Sequence, residues 1–169
     1  MAFPATRLRR LRKTGVLRGL VRETELSVSH LVSPMFVTTG SERRTPIPSL
    51  PGVDHLSIDG AVEEAGLVSG LGIPAVLLFG LPADKDEQGS GAWDDEGVIQ
   101  LATRAIKAAH PDLLVITDLC LCEYTSHGHC GVLHANGEVD NDASLELIAR
   151  TAVSHVEAGA ESAATRNGP

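Results

Sequence analysis

"LLVITDLCLCEYTSHGHCG", residues 113–131, begins as a continuous apolar run and ends as a loop of thiols, imidazoles and glycines. The apolar part has the pattern of a strand buried on both faces, as found in parallel sheets covered by helices. Its far end carries all three cysteines of the 169-residue chain and two of its seven histidines. Parallel strands in α/β barrels and open α/β sheets deliver their chemistry at the carboxyl end, where these ligands stand.

The flanking sequence repeats the pattern. Upstream, "AVLLFG" (75–80) is a second continuous apolar run and "HLVSPMFV" (30–37) a third. Between the runs at 30–37 and 75–80 lies "DGAVEEAGLVSGLG" (59–72), where Ala61, Val62, Ala65 and Val68 recur at helical spacing and Glu63 and Glu64 suit the positive end of the helix dipole. Val98, Leu101, Ala102, Ala105 and Ile106 form the stripe of a second helix, with Asp95 as its expected cap and Pro111 as its stop. A third helix is predicted from Asp142, burying Leu145, Ile148, Ala152, Val153 and Val156 and ending at Gly159 as the C′ residue. Strand–helix alternation of this kind predicts a parallel α/β fold. The polar stretch "LPADKDEQGSGAWDDEG" (81–97) is long for a simple connection and reads as a lid or binding loop.

Composition agrees with a single globular α/β unit: 43% of residues are hydrophobic, 21% charged and only 3% aromatic, so the core must be aliphatic. No apolar run is long enough to span a membrane and no signal-peptide pattern opens the chain, which predicts a cytoplasmic protein. The net charge of −8 conceals an asymmetry, because residues 1–22 carry seven Lys or Arg and no acid. Residues 1–29 are therefore expected to be a basic arm, and 30–169 an acidic body. That body would repel phosphate, which argues against a nucleic-acid partner. Docking of the arm on the acidic body of a neighbouring copy is one reading of it, and a solvated arm is another.

In an extended strand, residues two apart share a face, so Asp118, Cys120 and Cys122 are expected to project together. Cys130 follows across a loop that Gly128 lets turn back, so the three thiols can converge on one ion. Three soft ligands favour Zn²⁺, and a fourth position open to water or substrate marks a catalytic site. His127 or His129 could instead close the shell, and both also suit bonding to backbone carbonyls. Three unrelated buried cysteines would leave the same spacing. Asp118 lies inside an apolar run, where an unpaired carboxylate is costly, and is a candidate functional residue.

The segment "DLCLCEYTSHGHCGVL", with "RLRRLRKTGVLRGLVRETELSVSHLVSPMFV" and "PSLPGV" before it and "VDNDASLELIARTAVSHVEAGA" after it, closely resembles the porphobilinogen synthase family, also called δ-aminolevulinate dehydratase. The resemblance runs from about residue 7 to 160. It implies a TIM (β/α)8 barrel with an N-terminal arm embracing a neighbouring subunit, commonly in a homo-oligomer of eight. It also implies condensation of two δ-aminolevulinate molecules to porphobilinogen in tetrapyrrole synthesis. By motif, Cys120, Cys122 and Cys130 match the zinc ligands and Asp118 an active-site carboxylate beside them.

The family's Schiff-base lysines have no counterpart here. Lys13, Lys85 and Lys107 fall in the arm, the long polar loop and a helix, none at a matching position. After "AGAE" the sequence reads "SAATRNGP" where the family continues with an apolar strand. The expectation is an incomplete barrel of about three βα units, the N-terminal half of the family's enzyme, truncated and unable to perform the Schiff-base chemistry alone. A non-enzymatic zinc-binding remnant, or a subunit completed by a second chain, is the competing expectation. Uncovered strand edges would favour aggregation.

Overall fold

The computed structural model describes residues 8–165. Residues 9–32 are exposed apart from the half-buried Leu17, and include, besides two 3-10 turns, one short α-helix, α1 (Gly15–Leu20), capped by the Thr14 hydroxyl. Residues 1–7 of the expected arm and 166–169 of the expected body lie outside the described residues. The strand β1 (Val32–Thr38) follows, and then a hairpin absent from the sequence reading: β2 (Arg44–Pro46) and β3 (Asp54–Leu56). Next come α2 (Ile58–Gly70), β4 (Ala75–Leu81), α3 (Val98–Ala109) and β5 (Leu114–Asp118). A two-stranded ribbon, β6 (Val132–Leu133) with β7 (Val139–Asp140), precedes α4 (Asn141–Glu157) and the short strand β8 (Ser162–Ala164).

These strands make one mostly parallel sheet in the order β2-β3-β1-β4-β5-β8, antiparallel only between β2 and β3. The α/β expectation holds, with three strand–helix units as read: β1 to α2, β4 to α3 and β5 to α4. A further strand is present, however. "SAA" at 162–164 pairs parallel with β5 although it lacks an apolar run. Its register comes from Glu161, whose backbone N–H donates to Val115 O while its carboxylate accepts from Val115 N–H. Lys107 completes the clamp, donating to Pro111 O, Leu113 O and the Glu161 carboxylate.

Period-two burial divides the sheet's faces. Met35, Val37, Val76, Leu78 and Val115 pack under α2 and α3 against Ala61, Ala65, Val68, Ile99, Ala102 and Ile106, forming the expected aliphatic core. The opposite face carries Phe36, Leu77, Phe79 and Ile116, which are only partly covered. There Phe36 and Phe79 stack with ring centroids 5.1 Å apart. Among the described residues no helix is long and apolar enough to cross a membrane.

Two helix readings need correction. The cap of α3 is Gly97, not Asp95: the Asp94 carbonyl turns the chain by accepting from Gly97 N–H, and α3 starts three residues beyond Asp95. In α4 the buried face is Ser144, Thr151, Ser154 and His155, while Leu145, Val153 and Val156 are more than half exposed. Polar groups can face inward because partners await them. Thr151 donates to Leu147 O, Ser154 accepts from Gln100 at 2.9 Å, and the His155 ring meets the Thr117 hydroxyl at 3.0 Å. The end of α4 is as expected, with Gly159 at φ 107° in the left-handed region that a C′ glycine supplies.

Candidate metal centre

β5 ends at Asp118, so the cysteines do not extend the strand as the alternation argument assumed. They lie in the turn beyond it. The backbone N–H groups of Tyr124 and Thr125 both donate to Leu121 O at 2.9 Å, folding residues 121–125 tightly. Thr125 Oγ1 then donates to His129 O at 2.8 Å, returning the chain toward Cys130, and Gly128 takes φ 73° between them. By this route the three sulfurs still converge: the Sγ atoms of Cys120, Cys122 and Cys130 all lie within 4.8 Å of one another, with Cys120 and Cys122 at 3.2 Å. All three are free thiols, Cys120 buried and the other two half-buried.

Asp118 joins a second, overlapping group with Cys120 and Glu123, again with ligand atoms within 4.8 Å. Sequence reading did not single out Glu123. It sits one residue beyond Cys122, whose thiol donates to its carboxylate at 3.1 Å, and only the fold of the turn could have revealed it. His127 is committed elsewhere. Its Nε2 donates to Glu87 O at 3.1 Å and its Nδ1 accepts from His129 N–H at 3.2 Å, which occupies both ring nitrogens. Neither group of candidate ligands includes a histidine.

The thiol chemistry follows from this packing. Burial pushes the Cys120 thiol up, and Cys122 further, by burial first and then by its bonds to Cys120 and the Glu123 carboxylate. Without a cation Cys120 and Cys122 therefore keep their protons, and an arriving ion must displace them. Convergent soft donors on one buried and two half-buried cysteines fit a soft divalent ion such as Zn²⁺ better than a hard one.

The long loop is built onto this centre. Asp86 caps its own turn, accepting from the N–H groups of Gln88, Gly89 and Ser90 and from the Ser90 hydroxyl. The same residue reaches the cysteine segment through its backbone, donating to Tyr124 O at 3.3 Å and accepting from Ser126 N–H at 2.8 Å. Tyr124 and Leu121 pack with Ala92 into a small cluster flanked by Trp93, Leu147 and Ile148, so loop, cysteine turn and α4 share one core.

Comparison with known proteins agrees with this architecture. The family model for delta-aminolevulinic acid dehydratase matches residues 5–167. A delta-aminolevulinic acid dehydratase of Synechocystis sp. is 53% identical over 162 residues, covering 94% of this chain and 50% of that protein. One of Halalkalibacterium halodurans is 49% identical over 161 residues, with 95% and 49% coverage. Among solved structures, delta-aminolevulinic acid dehydratase (porphobilinogen synthase) from Toxoplasma gondii, in complex with the reaction product porphobilinogen, superposes with a TM-score of 0.90 at 34% identity. That match covers 95% of this chain and 46% of the other. The chain thus spans about half the length of the curated relatives it matches.

Proposed function

Because this chain belongs to the delta-aminolevulinic acid dehydratase family, we propose that it carries the metal-binding part of a site that condenses two δ-aminolevulinate molecules into porphobilinogen. The observation that carries the reading is the convergence of three thiols beside Asp118 at the carboxyl end of a parallel strand. That is where a barrel assembles its active site. Cys120, Cys122 and Cys130 would hold Zn²⁺, which when bound acts as a Lewis acid on a substrate carbonyl. Asp118 stands on the partly covered sheet face, where its carboxylate can accept a hydrogen bond or a proton from a substrate amino group. Glu123, bonded to the Cys122 thiol, is placed to take that thiol's proton as an ion binds.

Schiff-base formation needs a lysine amine held close to the substrate, with burial or neighbouring cations lowering its pKa. Lys13 and Lys85 are exposed. Lys107 is bonded to Leu113 O, at the opposite end of β5 from the thiols. Residues 1–169 alone are therefore expected to bind metal without turning over substrate. In this reading the sheet is part of a (β/α)8 barrel whose remaining strands lie in sequence corresponding to the other half of the relatives. The partly covered Phe36–Phe79 face and the outward Leu145, Val153 and Val156 support such a complement, supplied by the same or a second polypeptide. We place the protein in a reducing compartment, the cytoplasm, where three free thiols persist. It would form a homo-oligomer through its basic arm.

Two experiments test the reading. The reduced chain should bind about one Zn²⁺, and the triple Cys120→Ala/Cys122→Ala/Cys130→Ala variant should bind none; unchanged stoichiometry in that variant removes the metal assignment. With δ-aminolevulinate and borohydride, no lysine of this chain should be labelled. Covalent trapping on Lys13, Lys85 or Lys107 at a rate matching turnover by a full-length relative would show that the chain is catalytically complete.

A further inference from the structure

The turn that carries Cys122 is fastened to the sheet at one point. Tyr124 is only 4% exposed, and its ring enters a slot whose walls are glycines from two other segments. A methyl group on Gly80, near the end of β4, would overlap the Tyr124 hydroxyl and stand 2.7 Å from Ile99 Cγ1. On Gly91 of the long loop it would lie 3.5 Å from the ring, and on Gly89 it would lie 3.3 Å from Tyr124 Cβ. The slot is therefore matched to this ring: Gly80 is required by close approach, Gly89 is tight and holds a left-handed φ of 72°, and Gly91 lines the ring at ordinary contact distance.

We propose that Tyr124 is the positioning residue of the thiol cluster, a role that rests on reading that cluster as the zinc site. Seven residues separate Cys122 from Cys130, with no regular structure among them. Closing such a loop around an ion costs conformational entropy unless it is already anchored. Tyr124 supplies the anchor. Its N–H closes the turn on Leu121 O, which fixes Cys122 relative to Cys120. Its neighbour Thr125 donates to His129 O, which brings Cys130 back. The Asp86 backbone holds both sides of this pair, through Tyr124 O and Ser126 N–H. Force therefore runs from Gly80 through the ring to all three sulfurs, while the ring itself ligates nothing.

The test uses the full chain and four variants: Tyr124→Phe, Tyr124→Ala, Gly80→Ala and, as a control, Ile106→Ala in the main core. Co²⁺ titration reads affinity and the thiolate-to-metal absorption band, and a thiol reagent reads protection of Cys120 in the metal-free chain. Tyr124→Phe should keep the band, with affinity within about threefold. Tyr124→Ala and Gly80→Ala should each lose affinity by about 10–100-fold, the range for residues that support metal ligands. Both should also unmask Cys120. Ile106→Ala should lower the melting temperature and leave the metal and thiol readouts unchanged in the folded protein. The proposal is overturned if Tyr124→Ala retains affinity, band and protection, or if Ile106→Ala disturbs them equally. Failure of the unaltered chain to bind Co²⁺ would remove the zinc reading and this proposal with it. Cys120 protection would then show separately whether Tyr124 holds the turn.

Discussion

Acidification offers a test of the α4 face. His155 is fully buried, with the neutral Thr117 hydroxyl 3.0 Å from its Nδ1, and burial pushes its pKa from 6.5 down to about 4. In the unfolded chain the ring regains an ordinary value, so below pH 6.5 the unfolded state binds more protons than the folded one. The stability that His155 contributes is thus complete above pH 6.5 and is lost as pH falls toward 4. Integrating that difference gives a loss of about 2.5 kcal/mol between pH 7 and pH 4.5. Hydrogen bonds hold the carboxylates of Asp86 and Glu161 below their ordinary range, and so below this window. Urea unfolding at half-unit pH steps, on the unaltered chain and on His155→Gln, isolates the effect, because glutamine can bond Thr117 without titrating. The unaltered chain should lose that stability and the variant should keep a nearly flat profile. Identical slopes between pH 6.5 and 4.5 would refute the reasoning and mean that the imidazole is hydrated or moves out on protonation.

Lys107→Met removes two bonds to backbone carbonyls and an ion pair from a clamp whose lysine is largely covered and whose glutamate is exposed. It should cost about 2 kcal/mol in urea unfolding, with faster amide exchange in β8; an effect near zero would show the clamp to be idle. Replacing the outward Leu145, Val153 and Val156 of α4 with serine should reduce dye binding and aggregation while leaving the helix intact. Unchanged dye binding would place the sticky surface on the Phe36–Phe79 face instead.

Continuous apolar runs made β1, β4 and β5 legible in the sequence, and helical spacing did the same for α2 and α3, because each buries its side chains by simple periodicity. α4 was misjudged for the opposite reason. Its inward positions are Ser, Thr and His, whose burial depends on Gln100 and Thr117 from distant segments, and no local pattern records such partners. The strand β8 was hidden similarly, since its pairing is set by Glu161 rather than by apolar residues. Convergence of the cysteines was legible from their types and number, but through the wrong geometry: a hydrogen-bonded turn, not strand alternation, brings them together. The sequence left His127 and His129 open between ligand and loop residue, and no local pattern records the bond of His127 to Glu87 O, forty residues upstream.

The strand β1 has unequal flanks. Along one it runs beside β4 for seven consecutive pairs, while along the other β3 meets only Phe36 and Val37. A further parallel strand arriving on that second flank finds a berth of four residues, Val32 to Met35, about 13 Å long at the usual rise. One of them, Pro34, has no N–H to offer. β3 thus works as a doorstop that limits how far such a strand can slide. The doorstop is itself bolted down, since Arg44 of the hairpin grips Asp54 at 3.0 Å and Glu64 of α2 at 2.7 Å. A slip of one residue would turn every side chain of the newcomer to the wrong face. A three-residue strand that adds little area to the sheet therefore sets the phase of whatever joins it.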